Sequence, residues 1–189
     1  MFRSWWIVAA LVLFFGAAAV LDFGAGFRAK SLAVRMEAVA AFVLAAAMVI
    51  VGLGWAPFAA VPLGIVIGLV FVSFAVRIFL PGTGPEKAQP GALGRGSAFY
   101  GAVTAALSAW VLESAARSAA SVTEHPAHQL GVIVADAIAA LLMLFAAIGW
   151  LLATFAMPAE SKSHAVPRIK GLREAFLAAG LAVALYAVS

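Results

Sequence analysis

Six apolar stretches run through the chain, at about residues 5–21, 32–55, 58–80, 97–117, 131–155 and 172–188, with short interruptions that are polar or carry Gly and Pro. Each approaches the roughly 20 residues that a helix needs to cross a hydrocarbon core. The pattern predicts an all-α integral membrane bundle of about six transmembrane helices with short loops, forming a single transmembrane domain over residues 1–189.

The interruptions refine the outline. Trp5-Trp6 suits an interfacial anchor at the start of the first span. Arg3 followed by an apolar run also fits a secretory signal, but the run exceeds a usual signal's apolar region and no clean small-x-small cleavage site precedes Asp22, so the helix is expected to be retained. Phe23 to Ser31 reads as a Gly-containing turn, and Arg35 with Glu37 as a solvated helix entrance. Trp55 to Pro62 reads as a tight uncharged turn, and Gly64 and Gly68 as a GxxxG packing site in the third span. Pro81 to Gly96 reads as a flexible connector; its Gly-x-Gly pieces lack the strand context and the Lys-Ser/Thr of a phosphate site.

Composition agrees with this outline. The chain is 66% hydrophobic and 11% charged with a mean hydropathy of +1.11, far from a soluble domain. It has no cysteine, which removes disulfides, thiolate metal sites and thiol catalysis together. The net charge of +4 carries a topology signal rather than a nucleic-acid partner. With six spans, Arg28, Lys30, Arg35, Arg77, Lys87, Arg95, Lys162, Arg168, Lys170 and Arg173 fall on one side, and only Arg3 and Arg117 on the other. Ten against two places the first side inside and both termini outside the plasma (inner) membrane. The sixth segment is the weak point: lying on the surface, it would leave the C-terminus inside.

Candidate chemistry gathers between Glu113 and Asp136. Glu113 and Arg117 are four apart on one helix face and can pair, while Asp136 sits in the fifth span and must face protein or water. These three are the ligand- or proton-handling candidates. Glu124, His125 and His128 form a short polar run able to hold copper or zinc, although such a run is more often just solvated side chains; beyond that possible metal, no cofactor is expected. No catalytic residue emerges. Ser108, Ser114, Ser118 and Ser121 lack a nucleophile elbow and a base within the span, so the chain is expected not to be an enzyme. The stripe Ser97, Gly101, Thr104 and Ser108 repeats at helical spacing and reads as a packing face. The expected partners are the lipid bilayer, other membrane proteins and further copies meeting through such faces.

The even-numbered spans open alike: Arg35-Met36-Glu37-Ala38, Phe99-Tyr100-Gly101-Ala102 and Leu172-Arg173-Glu174-Ala175. Over Arg35 to Pro57, with Met48 and Trp55-Ala56-Pro57, the chain resembles a group of actinobacterial multi-pass membrane proteins of unknown function. Tyr100 to Trp110 and Arg173 to Tyr186 are similar to the later helices of that group. The resemblance implies Met and His ligands suited to copper, and the chain departs from it at Gly101, Val103 and Leu181. Together these readings favour an accessory or scaffolding subunit of a cell-envelope or respiratory complex, with a small transporter or metal-handling protein as the alternative.

Overall fold

The apolar runs fold as six helices: α1 (Trp5–Arg28), α2 (Leu32–Gly52), α3 (Ala56–Phe79), α4 (Gly91–Ala119), α5 (Pro126–Ala156) and α6 (Ala165–Val188). This is a computed structural model, and it describes residues 5–28, 32–79, 91–119, 126–156 and 165–188. Five helices are long and apolar enough to cross a membrane. The sixth, α4, has ample length at 29 residues but is less apolar.

That lower apolarity follows from where α4 packs. It lies against α2, α3 and α6, and its mid-helix polar residues Thr104 and Ser108 are buried there. Thr104 Oγ1 donates to the Gly101 carbonyl at 2.9 Å and Ser108 Oγ to the Thr104 carbonyl at 2.8 Å, which satisfies both buried hydroxyls within their own helix. A β-carbon on Gly101 would sit 2.7 Å from the Phe74 ring of α3. The expected small-residue face is therefore a tight packing face at Gly101. The Gly64 and Gly68 pair behaves differently, since a β-carbon at Gly68 would meet nothing within 4 Å and one at Gly64 only Leu112 at 4.0 Å.

Consecutive helices pair as α1–α2, α3–α4 and α5–α6, while α6 also touches α1 and α4. One apolar core joins all six, with Leu11, Phe15, Leu44, Met48, Ile67, Val111, Met143, Leu181 and Leu185 among its members. The even-numbered helices, which open alike in sequence, lie inside, with α2 and α6 both against α4 and the odd-numbered helices around them. The sixth segment, open to being a surface helix on sequence alone, is the most enclosed of the five candidate spans. On the outside, Phe58, Val61, Ile65 and Leu69 of α3 and Leu130, Val134, Leu142 and Phe145 of α5 are exposed. Apolar faces on this scale match lipid rather than water.

Several boundaries differ from expectation, each for a local reason. The turn expected over Phe23 to Ser31 is helical to Arg28; Phe23 packs edge-on to Phe27 one turn later at 4.7 Å and lies 5.9 Å from Phe42, which holds this last stretch against α2. The turn after α2 is shorter than expected and centres on Leu53 to Trp55. Gly54 adopts φ 83°, with Gly54 N–H donating to the Val51 carbonyl and Trp55 N–H to the Ile50 carbonyl. That is a Schellman termination, and the left-handed residue it needs is a glycine. Pro57 then falls in the first turn of α3, where its missing N–H has no helical partner to lose. The connector expected to reach Gly96 is already helical from Gly91, and residues 80–90 lie outside those described.

Candidate functional site

Two polar sites lie at opposite ends of the bundle. At one end meet the close of α1, the opening of α2, the close of α3 and the openings of α4 and α6. Arg173 of α6 is at the centre, buried, with Nη1 2.9 Å from Asp22 Oδ1 of α1 and Nη2 3.6 Å from Glu37 Oε1 of α2. Nη2 also donates to its neighbour Glu174. Lys170 Nζ donates to Glu37 Oε1 at 2.9 Å, and Arg77 Nη1 of α3 lies 3.7 Å from Glu37 Oε2. Tyr100 of α4 closes the ring, its hydroxyl 3.4 Å from the Glu174 carbonyl and its ring edge-on to Trp150 of α5 at 5.7 Å.

Three acids, Asp22, Glu37 and Glu174, thus face three bases, Arg77, Lys170 and Arg173, and among the described residues these six charges balance. Mutual neutralisation is what allows so many charges inside spans, since an unpaired one there costs a few kcal/mol. The pairing is incomplete in detail. Arg173 and Asp22 are close enough for an ion pair but not aligned as a hydrogen bond, and neither Asp22 Oδ2 nor Arg173 Nε has a hydrogen-bond partner among the described residues. Beside them is a partly open recess lined by Glu37, Phe74, Gly101, Thr104, Arg173 and Glu174. Its free volume is about 10 Å³, room for about one water molecule.

This cluster corrects the reading of Glu37 as a solvated helix entrance. Arg35 is exposed as expected, but the Glu37 side chain is 21% exposed and tied to α3 and α6. Asp22 had marked only the end of a span, and Arg77, Lys170 and Arg173 only a topology signal. The available clue was positional. Once six runs alternate in direction, all six of these charges fall at the ends of spans on one side, in equal numbers of each sign.

The second site holds the expected candidates. Glu113 and Arg117 pair at 2.9 Å, as their spacing predicts, and both are more than half exposed. Asp136 is nearly three turns into α5, about 15 Å along the axis, because the helix begins at Pro126, ahead of the apolar span Leu130–Leu152 in which Asp136 keeps its expected place. It is fully buried, and Trp110 Nε1 of α4 donates to its Oδ1 at 2.6 Å. Oδ2 has no partner among the described residues. The structure thus brings Trp110 to Asp136, a contact the sequence reading did not anticipate, and leaves Glu113 and Arg117 bonded to each other. Glu124 and His125 lie outside the described residues, and so does the side chain of His128. Among the described residues no group of three or more His, Asp or Glu converges as a metal ion requires.

The fold and its buried charges define an integral membrane protein of the helical-bundle class. No family model, curated protein or solved structure matches the chain. The resemblance over Arg35 to Pro57 has no matching family behind it, and its Met48 is packed in the apolar core.

Proposed function

We propose that this chain is a non-enzymatic multi-pass protein of the plasma (inner) membrane that serves as an accessory or scaffolding subunit of a larger cell-envelope or respiratory assembly. The observation that carries this reading is the charge cluster. Its three acids and three bases join α1, α2, α3 and α6 around a recess with room for about one water, so the cluster works as a clamp between helices rather than as a path for a solute. The apolar flanks of α3 and α5 are available to lipid and to neighbouring membrane helices alike. The basic side of the bundle faces the cytoplasm in this reading, with both termini outside. Purification in mild detergent tests it: a larger membrane partner is expected at constant stoichiometry. A monodisperse lone protein with its own transport or catalytic activity would contradict it.

A second reading rests on Asp136, whose buried, partnerless oxygen suits ligand handling at the other end. There the protein is a small transporter or a copper- or zinc-handling protein, with Glu113 and Arg117 at the rim and Glu124, His125 and His128 as metal donors. Elemental analysis of wild type beside the His125→Ala/His128→Ala double variant separates the two. Stoichiometric metal lost in the variant favours the second reading; equal, substoichiometric metal in both removes it.

A further inference from the structure

Asp136 stands apart from every other buried carboxylate described. Asp22 and Glu174 each touch Arg173, whereas Asp136 has no cationic partner among the described residues. Its surroundings offer one polar contact, the Trp110 indole N–H on Oδ1. The titratable groups of the neighbouring elements are otherwise engaged or distant. On α4, Glu113 and Arg117 follow Trp110 by about one and two turns and bond each other. On α6, Tyr186 is the titratable group toward this end, and Lys170, Arg173 and Glu174 belong to the cluster at the other. On α5 itself, His128 is eight residues earlier, about 12 Å along the axis.

A carboxylate takes three kinds of positive partner. A metal cation requires several converging oxygens, which this pocket lacks among the described residues. A basic side chain from another protein requires an opening, and Asp136 is 0% exposed. A proton requires only Oδ2. We propose that Asp136 is a proton-binding site within the bundle, its carboxyl carried as the neutral acid with Oδ1 accepting from Trp110 and Oδ2 bearing the proton. A neutral acid carries no charge to be desolvated by its surroundings, and an unpaired hydroxyl at Oδ2 costs less to bury than an unpaired charged oxygen. This site is separate from the helix clamp and independent of the subunit reading.

The sequence makes the test direct, because Asp22 and Asp136 are its only aspartates. Full-length protein in detergent, carrying aspartate labelled with carbon-13 at the side-chain carboxyl, gives two labelled groups in the infrared carbonyl region. At pH 7 a labelled neutral-acid band is expected, absent from Asp136→Asn and retained in Asp22→Asn. Trp110→Phe removes the donor to Oδ1 and should move that band to higher frequency. If Asp136→Asn fails to fold, retention in Asp22→Asn makes the assignment alone. Only carboxylate bands at pH 7, or an acid band that disappears with Asp22→Asn, would overturn the proposal.

Discussion

Arg173 illustrates how unevenly the charges of this protein share its stability. Its side chain is 7% exposed and that of Asp22 0%, so neither can turn to solvent when the other is removed. Arg173→Gln leaves Asp22 as a buried unpaired acid and is expected to cost about 3–5 kcal/mol in reversible unfolding in detergent. The double variant Asp22→Asn/Arg173→Gln should be less destabilised than Arg173→Gln alone, because it removes both charges together. If the single variant instead unfolds like wild type, the cluster is not a clamp. Glu113→Gln removes an exposed pair, with Arg117 54% and Glu113 61% exposed, and should change stability by no more than about 0.5 kcal/mol. The difference also explains what could be read from sequence. Glu113 and Arg117 meet through the four-residue repeat of one helix, whereas Asp22 and Arg173 come from the first and last helices and meet only through tertiary packing. Asp136 was legible as a buried acid by its place in an apolar run, but Trp110, on another helix, was not legible as its partner.

At the scale of elements, glycine marks where helices touch closely and where they do not. A β-carbon at Gly101 would lie 2.7 Å from the buried Phe74 ring, and one at Gly180 would lie 2.9 Å from the fully buried Phe15 ring on α1. Both rings are buried and would have to shift to admit the new methyl. Gly101→Ala and Gly180→Ala should therefore each lower stability by about 1–3 kcal/mol, against a helix-propensity gain of up to about 1 kcal/mol. Gly68→Ala, with open space around the new methyl, should show no loss. Thermal unfolding of the three variants side by side checks the ordering, and a Gly68→Ala as damaging as Gly101→Ala would place a helix against that face. The six helices themselves were legible, because each apolar run is long and Gly- or Pro-bearing segments separate most of them. Helix ends were less so: Phe23 and Phe27 extend α1 through aromatic contacts, and Pro57 and Pro62, which look like breakers, sit inside α3.

For the whole molecule, the arrangement of both sites depends on α4. Five helices are long and apolar enough to cross; α4 has the length, its buried Thr104 and Ser108 are satisfied internally and its Gly101 face is closed by α3. A polar helix enclosed by apolar neighbours does not need the hydropathy of one facing lipid. Six crossings would put the charge cluster and ten of twelve basic residues on one side, and Asp136 toward the other. The natural lack of cysteine allows the decisive measurement without prior engineering. Single cysteines replacing Ala88, Ser121 or Ser189 are labelled with a membrane-impermeant maleimide in intact cells and in opened membranes. Six crossings predict that Ser121→Cys and Ser189→Cys react in intact cells and that Ala88→Cys reacts only after opening. Ala88→Cys and Ser121→Cys reacting from the same side would mean that α4 does not cross, and would contradict the arrangement on which both sites rest.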